Sequence, residues 1–164
     1  MFDAYLRFCG QVETWPVVVW FTNSLLVSIL IWLCHYFSLF LTIGSMAVLN
    51  LRVLGVAGRS QTMAQIADIY ARWMWIGLAV LFVSGTLMLA GDSVLFCTNN
   101  VFFIKLGLIV LAAISGVIVQ RNVRKWDQAP KIPVGARILA SISLILWIGT
   151  ILSAVDIPAL TNVP

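Results

Sequence analysis

Residues 14–51 form a run of 38 positions without a single Asp, Glu, Lys or Arg, and that stretch constrains the fold more than any other. An α-helix needs about 20 mostly apolar residues to cross roughly 30 Å of hydrocarbon. Three further runs of the same kind follow at 73–91, 101–120 (with Lys105 near its start) and 138–155. Apolar residues make up 62% of the chain and charged residues 10%, against about 25% charged in soluble domains. The sequence therefore predicts an all-α polytopic membrane protein, a single four-helix domain over residues 1–164 with spans at about 24–51, 73–91, 101–120 and 138–155. The bilayer is its first partner.

The first run is too long for one span and short for two. Thr22, Asn23 and Ser24 offer N-cap chemistry, which places the helix start at about 24; one long helix beginning at Pro16, a residue suited to a first turn, is the alternative. Residues 2–13 mix aromatic side chains with three charges and read as a short N-terminal segment lying in the interface.

Basic residues in short loops stay on the cytoplasmic side. Arg52, Arg59 and Arg72 fall in the first loop, and Arg121, Arg124, Lys125, Lys131 and Arg137 in the third, which accounts for eight of the ten basic residues. The other side keeps Arg7 and Lys105 beside Asp3, Glu13, Asp92 and Asp156. This asymmetry predicts a bacterial inner-membrane protein with both termini periplasmic, and no removable signal peptide is expected. The net charge of +4 is explained by topology and anionic lipid, without nucleic acid. Trp15 and Trp20 fit the outer aromatic belt, and Trp73, Trp75 and Trp126 the inner one. Trp32 and Trp147 fall at a similar depth within their spans and are expected to line a common cavity.

Projected at 100° per residue, Ser24, Ser28, His35, Ser38, Thr42 and Ser45 share one sector of the first span. Lipid offers such groups no partner, so the stripe should face the other helices or a cavity between them. His35 is the only histidine, and an ionisable group at mid-membrane is a functional hypothesis in itself. A neutral imidazole keeps one nitrogen as donor and one as acceptor or ligand, which leaves a structural hydrogen bond, haem ligation, quinone binding and metal handling open. Haem b in a four-helix bundle would take His35 as its axial ligand. With no second histidine it would be five-coordinate, use Met88, or be shared between chains. Copper is an alternative metal for His35, although adjacent Cys34 points about 100° away on a helix.

Gly77 and Gly85, Ala112 and Gly116, and Gly149 and Ser153 each fall on one face of a span, a spacing that suits close helix packing. Met63, Ile66, Tyr70 and Trp73 recur at helical spacing after Ser60, so the second helix should begin before the membrane. Lys105 either snorkels to the headgroups or pairs with Asp92, which makes Asp92 more important to folding than Asp127. Cys34 is expected to be a buried thiol. Cys9 and Cys97 fall on the same side of the membrane, where a bridge would close a loop of nearly ninety residues; the alternative is that they lie too far apart to join.

The order of several segments resembles a family of uncharacterised bacterial four-helix inner-membrane proteins: His35 with Gly44, Asn50-Leu-Arg-Val-Leu-Gly55, Arg72-Trp-Met-Trp-Ile-Gly-Leu78, Ser84-Gly-Thr-Leu87, Asn100-Val-Phe-Phe-Ile-Lys-Leu106 and Ala136-Arg-Ile-Leu-Ala-Ser-Ile-Ser-Leu-Ile-Leu-Trp147. The likeness covers residues 25–150 and is distantly similar to the copper-resistance D type membrane proteins. It implies the architecture more than the chemistry. No nucleophile with its base, paired carboxylates or phosphate loop is present. The function expected is a non-catalytic membrane subunit or anchor of a periplasm-facing redox assembly, binding haem or quinone near His35, Ser38, Thr42, Trp32, Trp147 and Met88. Its partners would be other membrane or periplasmic redox subunits, or further copies of itself. The alternative is a permease for copper or a small solute, with the polar stripe as its path.

Overall fold

The computed structural model describes residues 2–58 and 60–161, with side chains described for 4–58 and 60–154; Arg59 and the side chains of Asp3 and Asp156 lie outside the described residues. Seven helices follow one another: α1 (Phe2–Glu13), α2 (Pro16–Asn23), α3 (Leu25–Val53), α4 (Met63–Gly91), α5 (Ser93–Thr98), α6 (Asn100–Asp127) and α7 (Val134–Thr161). Four are long and apolar enough to cross a membrane, at Leu25–Val53, Met63–Gly91, Asn100–Asp127 and Val134–Ala154. The protein is an all-α, multi-pass membrane bundle.

Helices α4 and α6 extend well beyond the expected spans at the end that carries Arg52, Arg124, Lys125 and Arg137, here termed the basic end. The extension of α4 is held by a fully satisfied N-terminus. Of the free amides that begin any helix, those of Met63 and Ala64 donate to Asp127 Oδ1 and Oδ2 at 2.9 and 2.7 Å, and that of Gln65 to Thr62 Oγ1 at 3.1 Å. Gln65 Oε1 in turn accepts from Thr62 N at 2.9 Å, completing a capping box. Thr62, rather than Ser60, is therefore the cap. Near the same end Arg124 pairs with Asp68 at 3.1 Å, and Trp75 Nε1 donates to Gln120 Oε1 at 3.0 Å. These contacts clasp α4 to α6.

The chain does break between α2 and α3, but not by the expected capping. Ser24 stands in extended conformation at φ −91° and ψ 103° without a side-chain cap bond. Ser28 Oγ instead donates across the break to the carbonyl of Phe21 at 2.9 Å, one of the carbonyls that the end of α2 leaves without a helical partner.

Opposite the basic end, α1 packs on α5. Cys9 and Cys97 are joined by a disulfide, with Cα atoms 6.7 Å apart, and Glu13 Oε1 accepts from Val94 N at 2.7 Å in the first turn of α5. This is the bridged end. Cys34, by contrast, is exposed on the surface of α3, which corrects its assignment as a buried thiol. The apolar core includes Met46, Leu49, Val53, Met63, Ile66, Met74, Val119 and Val123, most of them toward the basic end.

Candidate functional site

Helices α3 and α4 are antiparallel and unusually close. A Cβ on Gly77 would stand 2.5 Å from Thr42 Oγ1, 3.0 Å from Thr42 N and 3.1 Å from Ser38 O. Only hydrogen fits there. Two helical turns toward the bridged end, seven residues before Thr42 and seven after Gly77, the same register brings His35 to Ser84. Gly85 completes the seat, since a Cβ on it would lie 3.2 Å from His35 Cε1.

His35 Nδ1 and Ser84 Oγ are 3.1 Å apart. Ser84 Oγ has one proton, and its shortest bond, at 2.7 Å, is to the carbonyl of Val80. With that proton committed, the hydroxyl oxygen accepts from Nδ1–H. This arrangement favours the tautomer with the proton on Nδ1 and the lone pair on Nε2. No described residue bonds Nε2.

His35 lines a cavity of about 720 Å³ between α4 and α6, a volume within the range of small-molecule and cofactor sites. Leu39 of α3 and Thr150 of α7 form part of its floor, Leu78, Leu81 and Leu89 of α4 one side, and Ile109 and Ala113 of α6 the other. Phe96 of α5 lies at the bridged end and Trp75 at the basic end. Exposed Phe82, Leu106 and Val110 also border it, so its mouth lies on the bundle's surface within the spans. The clasp at the basic end holds α4 and α6 together; toward the bridged end the space between them is this cavity.

Of the residues singled out in the sequence, the structure brings His35 and Met88 to the cavity. Ser38 and Thr42 are buried in the α3–α4 seam beside Gly77, their hydroxyls donated to the carbonyls of His35 and Ser38 at 2.9 and 2.7 Å. The polar stripe thus spends those hydroxyl protons on its own backbone. The common cavity expected of Trp32 and Trp147 does not form. Trp32 is exposed, whereas Trp147 is buried in the core, and neither borders the cavity. Lys105 does line it, and no ion pair with Asp92 forms; among the described residues the ion pair is Arg124–Asp68.

A second polar cluster lies outside the cavity. Asn50 Nδ2 donates to Ser143 Oγ at 3.0 Å, which is itself 3.0 Å from Ser115 Oγ, so α3, α6 and α7 meet through buried polar groups. Asn50 Oδ1 and Trp147 Nε1 are buried without a hydrogen-bond partner among the described residues.

The hydrogen bond expected of His35 to a neighbouring helix forms, but sequence reasoning did not single out Ser84 as its partner or Lys105 as a wall of the cavity. The signal for the first was available: a glycine pair on α4 eight residues apart, with a serine adjoining the second, facing a polar stripe of matching period.

The model of a family of unknown function, DUF6644, matches residues 27–157, a stretch that includes His35, Ser84 and the whole cavity lining. No curated protein and no solved structure matches the chain.

Proposed function

We propose that this chain, which belongs to DUF6644, a family of unknown function, is a non-catalytic membrane subunit that holds a haem b for a redox assembly on the periplasmic face of the bacterial inner membrane. The observation that carries the reading is the 3.1 Å contact between His35 Nδ1 and Ser84 Oγ. An imidazole that ligates a metal through one nitrogen nearly always donates the other N–H to a fixed acceptor, and the Ser84 oxygen is such an acceptor. The apolar cavity beside it, lined by aliphatic and aromatic side chains, suits a porphyrin face.

The bond to Ser84 also ranks the alternatives. A quinone carbonyl needs a donor, and with the proton of His35 turned to Ser84 that role falls, among the described residues, to Lys105 alone. A metal or solute path needs successive free polar groups, and the hydroxyls of Ser38 and Thr42 are turned to their own helix. Met88 stands one turn beyond Ser84 on the same helix, hence on the same wall as the imidazole, while α6 offers Ile109, Ala113 and, nearer the bridged end, Lys105 across the cavity. His35 is the residue of this chain that would hold the iron of a haem b, and the group would supply one-electron redox chemistry there. Orientation with both termini outward rests on the basic residues clustered at the other end.

Purified full-length protein titrated with haemin tests this directly. The expected result is a saturable Soret shift that is lost in His35→Leu, and a further shift of the ferrous form on adding carbon monoxide. An unchanged free-haemin spectrum rejects the function.

A further inference from the structure

Ligation by His35 leaves one charged group of the cavity unused. Lys105, from α6, borders the space, and among the described residues it makes no hydrogen bond or ion pair; Asp92, at the N-terminal cap of α5, is exposed and does not reach it. The other polar side chains of the lining have already committed their protons. Thr86 Oγ1 donates to the carbonyl of Phe82 at 2.8 Å, Thr150 Oγ1 to that of Leu146 at 3.0 Å, and Trp75 Nε1 to Gln120. Three N–H donors on one cation are therefore unspent in an otherwise apolar enclosure.

An ammonium drawn into apolar surroundings is costly unless an anion or strong acceptors meet it. The described residues supply none here, and because Lys105 lines the cavity its complement is assigned to whatever fills that space. Depth gives the geometry: His35 lies ten residues from the bridged end of α3 and Lys105 five from that of α6, about 15 Å and about 7 Å along their helices. The cation is thus the shallower of the two.

We propose that Lys105 binds a carboxylate of the ligand, so that the cavity selects an amphiphile with its apolar body between α4 and α6 and its anionic edge toward the bridged end. This rests on the reading of the cavity as a cofactor site. For a porphyrin the carboxylate is a propionate, and the contact fixes which edge faces outward.

Metal-free protoporphyrin IX and its dimethyl ester differ in charge but not in ring, and their fluorescence reports binding to full-length protein in phosphatidylcholine nanodiscs. Wild type is expected to bind the diacid about ten-fold or more tightly than the diester, Lys105→Gln to bring the two within about two-fold without weakening the diester, and Lys105→Arg to retain the preference. Equal binding of both probes by wild type overturns the inference, as does a preference that survives in Lys105→Gln, or binding of neither probe. Unchanged diester binding shows that the variant has folded. The haem reading is scored separately with the iron forms: a His35-dependent Soret shift without charge preference sinks only the role of Lys105, and a Lys105-dependent preference without iron ligation sinks only the haem.

Discussion

Ser84 sits between His35 and the backbone of its own helix, its Oγ 3.1 Å from His35 Nδ1 and donating to the carbonyl of Val80 at 2.7 Å. Removing that relay frees the imidazole to rotate and to exchange tautomers. Ser84→Ala is expected to weaken haemin binding by about 10–100-fold while helix content by circular dichroism stays that of wild type. Equal affinities for variant and wild type would show that Ser84 does not position the ligand nitrogen.

Gly77 makes the closest approach of α3 to α4. A methyl group there meets Thr42 backbone as well as its hydroxyl, and neither can swing away, because Thr42 Oγ1 is also bonded to Ser38 O. Gly77→Ala should cost about 1–3 kcal/mol, read as a lowered midpoint of denaturant unfolding in micelles. Gly85→Ala, whose new methyl meets only the His35 ring edge, should disturb haemin binding more than unfolding.

The ranking of two aspartates is reversed from the one read in the sequence. Asp127 accepts from two free amides of α4, Met63 and Ala64, whereas Asp92 is exposed and holds no ion pair among the described residues. Asp127→Ala is expected to lose about 1–2 kcal/mol and Asp92→Ala close to nothing in the same unfolding assay. A larger effect at position 92 contradicts the clasp.

The three cysteines should separate by reagent. Reduction is expected to add about 2 Da to the intact mass as the Cys9–Cys97 bridge opens. Cys34, exposed on a span, should react with a membrane-permeant maleimide before reduction and resist a charged, water-soluble one. Removing the bridge with Cys9→Ser and Cys97→Ser takes away up to about 4–5 kcal/mol in the chain-entropy picture, checked by the unfolding midpoint.

The spans were legible because hydrocarbon tolerates so few charges that uncharged runs stand out, and the inward turn of Ser38, Thr42 and Ser45 was legible because a helix has one period. What lay beyond reach was pairwise. Nothing in the order of residues says that α4 and α6 meet at one end and part at the other, since that depends on Asp127 reaching a helix whose first residue is 64 positions earlier. Trp32 and Trp147 failed for the same reason: equal depth fixes height in the bilayer but not the azimuth about each helix, and one ring turned outward while the other turned into the core. The cap at Thr62 instead of Ser60 was a local ambiguity, resolved by Gln65 standing three residues after Thr62.

The exposed rim of Phe82, Leu106 and Val110 gives the cavity an entrance that faces acyl chains instead of water. A molecule reaching His35 through it has first dissolved in the bilayer, so the concentration that governs occupancy is moles per volume of lipid. Growing the membrane at constant total ligand dilutes the site's supply even though nothing about the protein has changed. Affinities measured in nanodiscs, micelles and vesicles therefore become comparable only after each is divided by the ligand's own partition coefficient, and a cell would load this protein by controlling what its membrane dissolves.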